Sequence, residues 1–199
     1  MSCPVQCHAI TSTTPSRAYG PTTRPVNAAV LERRDVDDKI RMGDPDDVWA
    51  LFDIWVAQVE GNADKPGMVG LYTAMTVGAI DGTHPAHPWL HGHLTFTVDG
   101  VTDALERGKE VGTVAADAPS RQLARTVVAL SDGIQVQWLC ARADAEAAGE
   151  TPDRTPVHGG EPVDMAAQMR LLLGLIRSRW EVRPAADGEP TLAGTGRLS

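Results

Sequence analysis

The chain has 199 residues, 42% of them hydrophobic and 22% charged, with a formal net charge of −8. That length suits one well-packed domain with short appendages, and that balance is typical of a globular protein in water. The acidic excess makes the chain as a whole repel nucleic acid and anionic membrane, so neither is expected to bind its bulk surface.

Residues 1–26 read as a disordered tail, with Pro4, Pro15, Pro21 and Pro25, eight Ser or Thr, no acid and no apolar periodicity. The tail's two arginines, Arg17 and Arg24, fall short of the roughly 6–10 phosphate contacts that useful DNA binding takes. There is no apolar stretch of signal-peptide type in the first part of the chain. A short helix is expected over 26–40, with Ala28, Ala29, Val30 and Leu31 followed by a charged end. Asp44, Pro45, Asp46 and Asp47 then supply a cap, a first-turn proline and acids suited to the helix dipole. The helix they open runs to about Gly61 and carries Val48, Phe52, Trp55 and Val59 on one face, with Trp49 and Leu51 beside it.

Asp64-Lys65-Pro66 begins a further helix without charge until Asp81. Met68, Val69, Leu71, Tyr72, Met75, Val77 and Ile80 surround it, which predicts the most enclosed helix of the domain. It is too short to span a bilayer, which takes about 20 residues. Gly70 and Gly78 each cost about 1 kcal/mol of helix propensity relative to Ala. Tight packing or room for a ligand would offset that cost. A turn over 81–85 leads to a long helix near 86–111, with Leu90, Leu94, Val98, Val101 and Leu105 in one stripe and Trp89, His93 and Phe96 in a neighbouring one.

Gly112 stops that helix, and Asp117 with Pro119 opens the next, over 120–142. Its line Leu123, Val127, Leu130, Ile134 and Trp138 has helical spacing, while Val128, Val136 and Leu139 make a second side apolar. Such a helix needs cover on two sides. A loop rich in Ala, Gly, Pro and acids reaches Gly160. Glu161-Pro162 is expected to start a last helix, with Met165, Met169, Leu172 and Ile176 in line and Leu173 and Trp180 nearby. A second disordered tail fills 181–199, and no segment shows sustained strand alternation. The expected fold is all-α, a bundle of about five to six helices over 27–180.

Four histidines, His84, His87, His91 and His93, cluster around the start of the 86–111 helix. His87 and His91 share a helical face and, with His84, make a candidate metal set for a helical enzyme. The competing reading has His84 and His87 serving the turn and helix start, with His93 lining an interior. No cysteine joins them, because Cys3 and Cys7 lie in the tail and Cys140 sits late in a helix, a pattern of a reducing compartment. The metal reading is the minor one; no metal and no cofactor are expected. No nucleophile elbow, phosphate loop or metalloprotease motif is present, and Gly159-Gly160 reads as a loop ending. No catalytic role is assigned.

The aromatic and methionine set is more informative. Trp49, Phe52, Trp55, Leu71, Tyr72, Met75, Trp89 and Phe96 fall on three successive helices, with His93, Ser131 and Gln135 as polar partners and Val127 on the helix that follows. Residue by residue these are core positions. Together, bulky flat side chains beside interior glycines suit a mainly apolar ligand cavity with a few polar groups.

Here the chain resembles the ligand-sensing and dimerisation region of TetR-like (tetracycline-repressor-like) transcriptional regulators. The segments that carry the resemblance are AVLERRD at 29–35, THPAHPWL at 83–90, ALERGKEVGTV at 104–114, ALSDGIQVQWL at 129–139 and VDMAAQMRLLLGLI at 163–176, covering about 28–180. It implies a cytoplasmic homodimer in which the last two long helices of each subunit pair, with Val128, Asp132, Leu139, Met169, Leu172 and Ile176 at the interface. The preceding helices would enclose a small apolar effector. Occupancy would move the connecting helix near 27–40 and alter the spacing of two DNA-reading heads, whose half-sites lie about 34–36 Å apart. The chain departs from the family pattern in showing no helix-turn-helix before that connecting helix, so DNA would be bound only through a head not recognisable here. A headless effector-binding or dominant-negative partner is the alternative implied.

Overall fold

The computed structural model describes residues 47–183. The expected tail over 1–26, the connecting helix over 26–40, Asp44 to Asp46 and the end of the chain beyond 183 lie outside the described residues. Within them the protein is all-helical apart from one two-stranded hairpin: α1 (Val48–Asn62), α2 (Pro66–Gly78), α3 (His87–Glu110), α4 (Ser120–Ala147), β1 (Val157–His158), β2 (Glu161–Pro162) and α5 (Met165–Trp180).

Each boundary has a local cause. Asp47, in extended conformation, caps α1 by accepting from the Trp49 N–H at 3.1 Å. It takes the capping role expected of Asp44. Pro66 occupies the first turn of α2, where its missing N–H costs nothing. α3 ends with Arg107 and Lys109 against its carbonyl end, and the chain turns at Gly112, whose φ of +79° is open to glycine at little cost. α4 outruns its expected end at Arg142 and continues to Ala147, stopping before Gly149, also at φ +79°.

The segment expected to open the last helix at Glu161-Pro162 is instead a strand. Val157 pairs with Pro162 and His158 with Glu161. The turn between them is Gly159-Gly160, with φ of +61° and +86°, the two positive values a tight two-residue hairpin needs. The helix begins at Met165, with Asp164 Oδ1 accepting from Ala167 N at 2.9 Å.

α4 is the axis of the bundle, packing against α2, α3, α5 and β1. Trp138 on α4, Leu105 on α3 and Met169 on α5 are fully buried. The expected stripes of α3 and α4 face this core, Leu105, Val101, Val127 and Ile134 among its most buried members. Beyond α5, Glu181 bridges Val114, and Val182 N donates to Thr113 O at 2.9 Å. Those residues, expected in a tail, are therefore fastened to the α3–α4 loop.

The helix expected to be most enclosed is not. Only Val69 and Met75 of α2 are buried, while Val77 is 64% exposed and Ile80, just past its end, 70%. α2 lies at the edge of the bundle, against α4 and α1. Its apolar character feeds a second, smaller core of Met75, Ala79, Ala86 and Leu90, with Met68, Leu71, Tyr72, Trp89 and Leu94 packed on it.

Candidate functional site at the junction of three helices

The residues expected to line one cavity separate into two groups. Trp49, Phe52, Trp55, Val127, Ser131 and Gln135 are buried in or against the main core. Trp49 meets Phe52 edge-on at 5.8 Å and donates from Nε1 to Thr113 O at 3.3 Å. Trp55 Nε1 donates to Ser131 Oγ at 3.4 Å. The two indole N–H groups and the Ser131 hydroxyl are thus spent within the fold, which gives this group a packing role. Phe96 does not join either group's interior: it is 52% exposed on the outer side of α3.

The second group is different in kind. Leu71, Tyr72 and Met75 come from α2 and Trp89 and His93 from α3. Asp132 joins them from α4. Tyr72 donates its hydroxyl proton to Asp132 Oδ1 at 3.0 Å and lies 3.3 Å from His93 Nε2. With that single proton committed to the carboxylate, the tyrosine oxygen is left to accept from His93 Nε2–H. A relay results, from imidazole through phenol to carboxylate. The His93 ring stacks on Trp89 with centroids 5.5 Å apart, and Tyr72 meets both rings edge-on at 6.2 and 5.6 Å. All four side chains are half-buried. Burial pushes the Asp132 carboxyl above its ordinary 3.8, against the opposing pull of the Tyr72 hydroxyl and the His93 imidazole.

Asp132 was expected at a dimer interface, and its carboxylate is engaged inside its own protomer. Met169, Ile176 and Val128, assigned to the same interface, are 0%, 3% and 8% exposed and pack into the main core of the protomer. Leu139 and Leu172 are partly buried against that core. The apolar side chains that α4 and α5 do present to solvent are Val136, Leu171 and Leu175, at 45%, 59% and 60%. Leu171 and Leu175 stand one turn apart, a spacing visible in the sequence but overshadowed by the longer methionine line beside it.

The histidines near the start of α3 serve the backbone. His84 Nδ1 accepts from Ala86 N at 3.1 Å, and His87 Nδ1 donates to Ala79 O at 2.8 Å. His91 is exposed. Among the described residues no group of three or more His, Cys, Asp or Glu is placed to hold a metal ion. A cleft of about 70 Å³ lies at the far end of α1, between Glu60, Arg154 and Arg170. Its charges are already matched, Arg170 to Glu60 at 2.8 Å and Arg154 to Asp64, so it reads as a surface seam. Among the described residues no helix is long and apolar enough to cross a membrane.

The chain matches no family model, no curated protein and no solved structure. Function therefore rests on the site itself.

Proposed function

We propose that this chain is the effector-sensing, self-associating part of a TetR-like transcriptional regulator. In this reading a small molecule settles against the Tyr72, Trp89, His93 and Asp132 cluster, and two copies associate through the exposed sides of α4 and α5. One observation carries it: a linked carboxylate, phenol and imidazole lie half-buried under an indole where α2, α3 and α4 meet. A purely structural junction is most simply filled with aliphatic side chains, because half-satisfied polar groups cost free energy. Three polar groups on three different helices make a ligand able to shift those helices relative to one another.

The sequence segments that resemble TetR-like sensing domains favour the same assignment, with DNA reading left to a separate head. In this reading the cluster's role is to bind the effector. The test is a small-molecule thermal-shift screen on wild type and Tyr72→Phe, with sedimentation at micromolar concentration. A ligand that stabilises wild type and loses effect in the variant, bound to a dimer, is the expected result. Solitary protomers, or hits indifferent to Tyr72, would overturn the proposal.

A further inference from the structure

Among the described residues the carboxylate at the centre of this site has no lysine or arginine beside it. Among the described residues Asp132 accepts one hydrogen bond, from the neutral Tyr72 hydroxyl, and is paired with neither lysine nor arginine. The other group that favours its ionised form is His93, on the far side of that hydroxyl. Some acids of the described surface do pair: Asp99 with Arg121 at 3.0 Å, Asp117 with Arg179 at 2.9 Å, Glu60 with Arg170 at 2.8 Å. Asp132 is desolvated by burial and has no lysine or arginine beside it among the described residues, an arrangement that costs stability.

We infer that the ligand of this site carries a protonated amine, which pairs with Asp132, and an apolar body, which rests on Trp89, Met68 and Leu71. The inference rests on the reading of this cluster as the effector site and narrows it, replacing a wholly apolar effector with an organic cation. Both halves of the ligand have a counterpart here. The second core supplies partly buried Met68, Leu71, Trp89 and Leu94 as an apolar floor. The rings of Tyr72 and Trp89 stand 6.2 Å apart and nearly perpendicular beside the carboxylate, and the face of an aromatic ring attracts positive charge. An anionic ligand would meet Asp132 head-on, and a neutral one would leave its desolvation uncompensated.

The probes are 1-naphthylmethylamine and 1-naphthalenemethanol, which share an apolar body and differ in charge at neutral pH. Titration calorimetry on the full chain is expected to show the amine binding at least about tenfold more tightly, the ratio that one charge-assisted hydrogen bond provides. In Asp132→Asn, which keeps the acceptor for Tyr72, the amine should lose that advantage while the alcohol binds as before. Equal affinities in wild type would overturn the charge assignment and leave the effector site standing. Binding of neither probe, with both proteins folded by circular dichroism, would remove the site itself.

Discussion

Cγ2 of Val114 lies 2.5 Å from where alanine would place a Cβ at Gly108. The glycine lets the α3–α4 loop fold back onto the last turn of α3, where Thr113 N and Val114 N both donate to the Gly108 carbonyl, at 2.8 and 3.0 Å. That fold-back presents Thr113 O to Trp49 and Val182, and Ala115 N to Trp180 O. Gly108→Ala should therefore destabilise the fold by about 1–3 kcal/mol, the usual cost of overpacking a core. Urea unfolding checks it, and an unchanged midpoint would show that Val114 can simply move away.

The opposite result is expected at Gly70. A Cβ there meets only Leu139 Cδ2, at 3.9 Å, an ordinary contact. Gly70→Ala should stabilise the protein by about 0.5–1 kcal/mol, since the helix loses a residue that is costly to order. A raised thermal midpoint is the readout. The glycine would be worth retaining only if a ligand needs that space, in which case probe binding weakens as stability rises.

Two tryptophans separate hydrogen bonding from packing. Trp138 is fully buried and donates from Nε1 to Arg154 O at 2.8 Å, while Trp180 Nε1 is buried with no partner. Trp138→Phe loses volume and leaves a carbonyl unmet, so it should cost at least about 1 kcal/mol more than Trp180→Phe, which discards a donor that gains nothing from folding. Equilibrium denaturation of the two variants decides it.

Asp132 gives a pH dependence with a definite sign. Its folded carboxyl titrates above the ordinary 3.8, chiefly through burial. Native protein thus holds this proton where the unfolded chain has released it. The site's favourable contribution is complete below the unfolded value and lost as pH rises through the folded one. Asp132→Asn removes the effect, so its stability relative to wild type should improve as pH rises from about 3 to about 7. Denaturation midpoints that track each other at every pH would show the carboxylate to be well solvated.

Association is checked on α5. Leu171 and Leu175 touch solvent in the protomer, so changing both to Glu should leave thermal stability of the isolated fold nearly unaltered while shifting micromolar sedimentation from dimer to monomer. A double variant that sediments as wild type would place the contact elsewhere.

Helix existence and core faces were readable because periodicity is local: the α3 line through Leu90, Val101 and Leu105 and the α4 line through Val127, Ile134 and Trp138 are buried as spaced. The failures are tertiary. α2 is apolar all round yet lies at the edge, because composition reports what a helix tolerates and not which neighbours reach it. The hairpin escaped because two-residue strands have no period to detect, although Gly159-Gly160 marked its turn. At the candidate site, the aromatic character of Tyr72, Trp89 and His93 pointed to side chains that the fold does bring together. The bond between Asp132 and Tyr72 was not legible, because a charge on an apolar helix gives no hint of a phenol 60 positions away.

The crossing from α4 to α5 is held at several places. Trp138 grips the Arg154 carbonyl, Arg142 reaches the carbonyls of Pro152 and Asp153, and Val163 N closes on Pro156 O. The exposed stretch near Gly149 to Thr151 precedes all of those anchors along the connection. A protease that severs the backbone there would leave two fragments still clasped by α4 and α5, migrating as one particle until denaturant parts them.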